Sequence, residues 1–465
     1  MNKNKKPTTK TRIVKDSMGN INIPTNALYS AQTQRAINNF PISGIRFTNE
    51  FIYTIVIIKR SAAIVNHKLG LLGKNYKDAI IYASDEILNG NYDDSFPVDI
   101  FQTGSGTSTN MNVNEVISNI ANSKYKKLLL HPNDHVNMGQ SSNDVIPTAI
   151  NISSLISVEK KLIPSLIKIK KTIKEKEKEF KDVIKLGRTH LQDATPITLG
   201  QEFSSYFEMI KKSEERILYT KKMLKRLAQG GTAVGTGLNT HKDFGKLIAL
   251  EISKFTKLNF IESPNHFEAQ SSQDAIVELS GSLKTLSVSL HKIANDIRWL
   301  SSGPRSGLGE LIIPAVQPGS SIMPGKVNPV ICESVIQVCS QVIANDTAIT
   351  LGGLGGVFEL NLMLPLIAHN ILYSINIISN AVDSFNDKLL KEIKANAEKC
   401  NNYIEGSLAM CTSLVPIIGY DLAAEIAYEA YNTNKSIREV VIERNILSKK
   451  EIKKILDPKS MLKPK

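Results

Sequence analysis

The chain is poor in the residues that mark several common functions. Among 465 residues there is one tryptophan, aromatic residues make up 6%, and the four cysteines stand at 332, 339, 400 and 411. No two of them form a CxxC pair, and no His/Cys cluster has the spacing of zinc ligands. A chain this long builds its core without disulfide staples, so reduced thiols and a cytoplasmic location are expected, and no metal. No apolar run approaches the ~18–20 residues that a membrane span needs. The densest one, Phe51 to Ile58, stops at Lys59-Arg60. Met1 to Arg12 carries lysine, asparagine and threonine without an apolar segment, so a short solvated tail is expected rather than a secretory signal.

Charge is lopsided but of one kind. Net charge is +13, and 46 of the 57 basic residues are lysine. A nucleic-acid binder concentrates arginine and aromatic side chains on one face. Here lysine alternates with glutamate, as from Lys174 to Lys178, which reads as a solvated helical surface. No nucleic-acid or membrane partner is expected. A basic surface would modestly steer a small dicarboxylate.

What is present is helical periodicity. Leu155, Val158, Leu162, Leu166, Ile169 and Ile173 follow steps of three and four, which predicts one long helix over about 150–185, with a kink at Pro164. Similar stripes at about 200–229, 273–300, 329–350 and 362–395 predict a long-helix bundle. Residues 12–24, around Met18-Gly19-Asn20, predict a small hairpin. The glycine-rich stretches 230–237 and 352–356 read as breaks, and shorter helices follow near Asp421 to Ala430. There is no internal repeat and no strand run suited to a parallel sheet.

The densest chemistry lies in Gly319-Ser320-Ser321-Ile322-Met323-Pro324-Gly325-Lys326-Val327-Asn328-Pro329. Two hydroxyls, an ammonium and a carboxamide share one short loop. Gly319 and Gly325 admit backbone angles closed to other residues, and the two prolines fix φ. Such a loop can aim its N–H groups at a small anion. A nucleotide P-loop is excluded, because five residues separate the glycines and Val327 follows the lysine.

This loop resembles the signature of the fumarase/aspartase superfamily, and within it of the class II fumarases. Further matches stand in the expected order: Asp16-Ser17-Met18-Gly19, Ala31-Gln32-Thr33-Gln34-Arg35, Gln102-Thr103-Gly104-Ser105-Gly106-Thr107, His131-Pro132-Asn133-Asp134 and Gln140-Ser141-Ser142-Asn143-Asp144. Gly187-Arg188-Thr189-His190-Leu191-Gln192-Asp193, Gly230 to Gly237 and Ile418-Gly419-Tyr420-Asp421 continue them, so the resemblance runs from about residue 12 to about 460. It implies a mainly α fold of three domains: an N-terminal one over 1–140, a central bundle over 141–395 and a small C-terminal one over 396–465. It also implies a homotetramer whose active sites each draw on three subunits.

The implied reaction is the reversible anti addition of water to fumarate, with no cofactor. In reverse, a proton leaves a very weak carbon acid beside a carboxylate, so the developing dianion needs strong stabilisation. Lys326 and Asn328 suit that carboxylate. Ser105, Thr107, Ser141, Ser142, Asn143 and Thr189 are neutral donors for the carboxylates and the hydroxyl, and Gly106 and Ser321 complete the set. Many neutral donors hold a dianion without overbinding the product. His190 handles protons near neutrality, and by resemblance Glu333 pairs with it and raises its basicity. Ser320 matches the catalytic serine of the mobile loop and exchanges the carbon-bound proton on the opposite face. It would need Lys326 and loop amides to stabilise its alkoxide.

Three neighbouring features carry other readings. Arg188 is read as tying its loop by ion pairs, outside the site. Glu333 alone would also favour the N-terminus of the next helix. His131, Pro132, Asn133 and Asp134 are an Asn-Asp turn by residue type and, by resemblance, a second, peripheral dicarboxylate site; Leu128 stands where the family carries a basic residue, with Lys127 beside it. The rival functions are an aspartate ammonia-lyase, which usually has Gln at the place of His190 and Ala at that of Gly325, and a non-catalytic helical scaffold.

Overall fold

The computed structural model describes residues 10–464. Most of the tail expected before Arg12 therefore lies outside the described residues. Strands β1 (Thr11–Asp16) and β2 (Gly19–Pro24) pair antiparallel, as the hairpin reading expects, with Asp16 opposite Gly19. Helices α1 (Ala31–Asn39), α2 (Asn49–Lys68), α3 (Lys74–Leu88), α4 (Thr107–Lys124), α5 (Ser142–Ser157) and α6 (Ile163–Glu179) follow. A second hairpin, β3 (Ile184–Thr189) with β4 (Gln192–Thr198), precedes α7 (Leu199–Leu224), α8 (Phe244–Thr256), α9 (His266–Ser271) and α10 (Asp274–Leu300). The chain ends in α11 (Val330–Gly353), α12 (Leu364–Phe385), α13 (Ala397–Gly406), α14 (Val415–Ile418), α15 (Tyr420–Thr433), α16 (Ile437–Glu443) and α17 (Lys449–Ile455).

The fold is mainly α, and the four later stripes fall on α7, α10, α11 and α12. The long helix expected over 150–185 is present as an unbroken helical run over 142–179 that changes pitch in its middle. It is α5, a π turn over Val158–Leu162, and α6. Pro164 is the second residue of α6; its missing N–H and its ring bulk disfavour an ordinary α turn before it, and the wider π turn takes up the extra residue. No described helix is long and apolar enough to cross a membrane.

The described residues group into two compact units. The first holds residues up to 162, with 216–284 and 341–377. Here α2 packs against α3, α5 and α8 and is buried almost all round: beside the stripe Ile52, Ile55, Val56, Lys59, Ala62, Ala63 and Asn66, the residues Phe51, Thr54, Ile57, Ile58, Ser61 and Val65 are buried too. Glu115 of α4 accepts the N–H groups of Ser30, Gln32 and Thr33 and so caps α1.

The second unit holds 163–215, 285–340 and 378 onward. Its C-terminal core gathers Leu414, Ile426, Ile437, Val440, Val441, Ile452 and Leu456 around Leu186 of β3. Capping boxes at Ser436/Glu439 and Ser448/Glu451 start the short helices α16 and α17. At the root of the β3–β4 hairpin sits a charge cluster. Arg188 makes a bidentate pair with Glu310 at 2.8 and 3.0 Å, and Lys185 reaches Glu202 at 3.0 Å and Glu310 at 3.2 Å. Arg188 is thus the loop tie that its reading expects.

Glu310 is fully buried and Lys185 is 1% exposed. Removing one charge from such a cluster strands the others in a poor solvent. Glu310→Gln should therefore cost about 3–5 kcal/mol of stability. A urea titration measures it as a lower midpoint at unchanged slope. A shift of under about 0.5 kcal/mol, the size of a neutral surface change, would show that the cluster does not hold the hairpin.

Candidate active site

The first unit brings together six of the neutral-donor residues, Ser105, Gly106, Thr107, Ser141, Ser142 and Asn143, whereas Thr189 and Ser321 lie in the second. Helix α4 starts at Thr107 and α5 at Ser142, and the two N-termini meet through their hydroxyls. Ser105 Oγ lies 2.8 Å from Thr107 Oγ1, and Thr107 Oγ1 lies 2.7 Å from Ser142 Oγ. Ser142 Oγ donates to Asn143 Oδ1 at 3.4 Å, and Asn143 Nδ2 donates to Ala233 O at 2.8 Å. Ser141 is the N-cap of α5, its Oγ accepting the Asn143 N–H. Two helix N-termini with free N–H groups and hydroxyls make an anion site without needing a cation. Gly106 is required by this approach: its φ is +71°, and a Cβ there would meet Ile146 Cγ1 at 2.9 Å.

Beneath these donors lies a buried polar pair that sequence reading missed. Asp144 Oδ1 accepts the Ser141 N–H at 2.9 Å, and Oδ2 accepts those of Gly230 and Thr232 at 3.1 and 3.0 Å. Lys59 donates to Asn137 Oδ1 at 2.7 Å. Both are fully buried. Burial pushes Asp144 up to about 6, opposed by its N–H donors and by Lys59. Burial pushes Lys59 down to about 7 against the pull of Asp144. Signals existed for both: Ser141-x-x-Asp144 is a capping pattern, and Lys59 falls on the apolar face of α2 by its spacing.

The second unit carries the proton-handling candidates. Thr189 ends β3, and His190 and Leu191 form the hairpin tip with φ of +56° and +62°, a two-residue turn with both central angles positive. Thr189, His190 and Leu191 are exposed. In the signature loop, Ser320 Oγ accepts the N–H groups of Ile322 and Met323 at 3.3 and 3.0 Å. Gly319 N–H donates to Lys326 O at 2.9 Å, and Asn328 Nδ2 donates to Gly319 O, closing the loop on itself. Gly325 has the positive φ expected of it, +79°. Gly319 does not; its need is closeness, since a Cβ would lie 2.2 Å from Lys326 O. Ser321 and Lys326 are exposed, and among the described residues Lys326 has no acidic partner. Glu333 lies half-buried in the first turn of α11, and among the described residues no hydrogen bond joins it to His190.

The third candidate group, residues 131–134, also belongs to the first unit. His131 caps a π turn over Pro132–Val136, its Nδ1 accepting the Asp134 N–H at 3.2 Å, while its own N–H donates to His135 Nδ1. Asn133 is exposed and Leu128 half-buried. No cluster of three or more His, Cys, Asp or Glu among the described residues is placed to hold a metal ion.

The first unit thus offers paired helix N-termini, and the second a loop carrying Ser320 and Lys326. The family described as Lyase matches residues 19–344, and that described as Fumarase C C-terminus matches 410–463. Fumarate hydratase class II of Wigglesworthia glossinidia brevipalpis is 51% identical over 97% of this chain and 98% of its own. The Helicobacter pylori protein of the same name is 49% identical over 98% and 99%. The crystal structure of class II fumarase from Schistosoma mansoni superposes with a TM-score of 0.95 at 40% identity, covering 97% of this chain and 99% of that one. The chain belongs to the fumarase/aspartase superfamily and, within it, to the class II fumarate hydratases. An ammonia-lyase is not favoured by these relatives.

The buried pair sets a pH dependence. Lys59 titrates in the folded chain below its ordinary 10.5, so its stabilising share is fully present above that value and is lost as pH falls through about 7. Asp144 titrates above its ordinary 3.8, so its share is present below that value and lost as pH rises through about 6. The pair therefore stabilises least between the two folded values and gains toward alkaline pH. Lys59→Met should flatten the rise in urea midpoint from about pH 7 to about pH 9. An unchanged rise in that variant would assign the dependence to other groups.

Proposed function

We propose that the neutral donors at the starts of α4 and α5, together with His190, Glu333 and the 319–329 loop, carry the reversible anti addition of water to fumarate, giving L-malate. The observation that carries this reading is the Ser320 hydroxyl, which already receives two backbone N–H groups. A serine is a poor base unless its alkoxide is stabilised, and the two amides, with Lys326 from the same loop, would supply that stabilisation.

In the hydration direction, His190 takes a proton from water as its oxygen bonds one alkene carbon. The alkene electron pair moves into the far carboxylate, forming a dianion that Lys326 and Asn328 hold. Ser320 then delivers its proton to the neighbouring carbon on the opposite face. Ser105, Gly106, Thr107, Ser141, Ser142, Asn143, Thr189 and Ser321 orient the two carboxylates and the hydroxyl. Side chains and water suffice, so no cofactor or metal is assigned. His131, Pro132, Asn133 and Asp134 are proposed as a subordinate dicarboxylate site, with the exposed Lys127 in place of a cation at Leu128.

The active assembly we propose is a homotetramer with sites shared between subunits. Its support is the exposure of His190, which has no partner carboxylate among the described residues, and of Leu218, Tyr219, Val288, Leu351 and Tyr373 on the long helices. A cytoplasmic location fits the cysteines: burial pushes the thiols of Cys332, Cys339 and Cys400 up to about 12, which keeps them inert. The functional division proposed is 1–140, 141–395 and 396–465, with the long helices in the middle part.

A fumarate absorbance assay on purified protein tests the activity. Malate should yield fumarate in the presence of a chelator, and aspartate should not. Activity lost on chelation and restored by iron or magnesium would overturn the cofactor-free reading. An active monomer in sedimentation would overturn the shared site.

Two variants test the proton machinery. Ser320→Ala and Glu333→Gln should each lower turnover by roughly 10²-fold or more, the scale for losing a positioned acid or base. Inhibitor affinity should survive both, since Lys326, Asn328 and Asn143 remain. Near-normal turnover in Ser320→Ala would demote the serine to loop shaping.

A further inference from the structure

We propose that Asp144 and Lys59 form a buried positioning pair that sets the row Thr107–Ser142–Asn143 for carboxylate binding, acting through the Gly230–Ala233 loop and Asn137. The inference rests on the binding role given to that row under the proposed function. Neither residue touches substrate, since both are fully buried.

An ordinary capping box would use one bond, from the Ser141 N–H to the Asp144 carboxylate. Asp144 collects three more, from Gln229 Nε2 at 3.3 Å and from the N–H groups of Gly230 and Thr232. All three come from a segment over 80 residues away in sequence. That segment supplies Ala233 O, the acceptor that orients Asn143. The carboxylate therefore fixes the start of α5 and the loop that aims its third side chain. Only a carboxylate can do both, because an asparagine would turn an N–H₂ toward one set of donors.

Lys59 holds the approach to α5 from the other side. Its ammonium donates to Asn137 Oδ1, which also accepts from Asn110 and Asn114 of α4 at 3.3 and 3.1 Å. Asn137 Nδ2 donates to Gln140 O, immediately before Ser141. Lys59 thus ties α4, whose first residue is Thr107, to the turn that opens α5. Its charge balances that of Asp144, so the donors above meet a dianion over a neutral floor.

The test compares Asp144→Asn, Lys59→Met and the double variant, by malate kinetics and by calorimetric binding of succinate. Each single change should raise KM and weaken succinate about tenfold or more, with kcat falling less. The double should cost less than the product of the singles, as coupled groups do. A folded Asp144→Asn with unchanged KM and succinate affinity overturns the proposal, as do strictly multiplicative singles. Should Asp144→Asn not fold, Asn137→Ala keeps every donor to Asp144 and removes the lysine's partner. It should still raise KM and weaken succinate; unchanged values overturn the pair. A wild-type chain that binds succinate but does not interconvert malate and fumarate would instead sink the functional reading.

Discussion

The Asp144 carboxylate takes N–H groups from Ser141, Gly230 and Thr232, and the donor face of the first unit is built on that convergence. A glycine-rich loop has little packing of its own and would wander. Here its amides are buried and need acceptors, and a carboxylate satisfies several at once. The cost is an ionisable group in a poor solvent, visible in the upward push on Asp144. That cost is met by charge-assisted hydrogen bonds and by Lys59. The result is a loop whose path is set by hydrogen bonding as well as by close packing against Gln270 and His266, and Asn143 donates to its Ala233 O.

The chain places its charges with an economy that suits the chemistry. The donors of the first unit are hydroxyls, an amide and helix N-termini, all electrically neutral. In the signature loop Lys326 is the cation without an acidic partner among the described residues. A full set of cations would bind malate and fumarate tightly and uniformly, which lowers KM without raising kcat. Under the proposed function, neutral donors with one exposed charge give more to the dianion, where the negative charge is greatest. Gly319 keeps that loop compact, since its backbone approaches Lys326 O too closely for any side chain.

How much of this was legible depended on periodicity. The long helices could be read because their apolar steps repeat, and the first hairpin because a glycine turn sits between alternating residues. The β3–β4 hairpin could not, although its tip carries Thr189 and His190. Its turn residues are His190 and Leu191, not Asn-Gly, and its strands lack clean alternation because Leu186 faces the core while Arg188 and Lys185 are spent on Glu310. Motif resemblance found the residues there and missed their geometry. Lys59 was misread as the end of an apolar run, although its step from Ile52, Ile55 and Val56 puts it on the buried face. Tertiary charge pairing overrides composition at such places, and one-dimensional patterns do not encode the partner.

Each unit holds a buried ionic group, Lys59 with Asp144 in one and Lys185, Arg188, Glu202 and Glu310 in the other. Hydrophobic replacements of equal volume would often be as stable, so stability alone is a poor reason for them. What the ionic groups add is direction. A leucine packs against whatever surrounds it, whereas a bidentate guanidinium or a four-bond carboxylate accepts one arrangement. In both units the charged group lies one step behind polar residues: behind the buried Ser142 and half-buried Asn143 in the first, and behind the exposed Thr189 and His190 in the second. The strained tip, with two non-glycine residues at positive φ, needs such a root, because each carries a cost of about 1 kcal/mol or more that local sequence does not offset. Rigidity at the donors is thereby obtained from charges that cancel below them, which leaves the net field at the donor face to the helix termini.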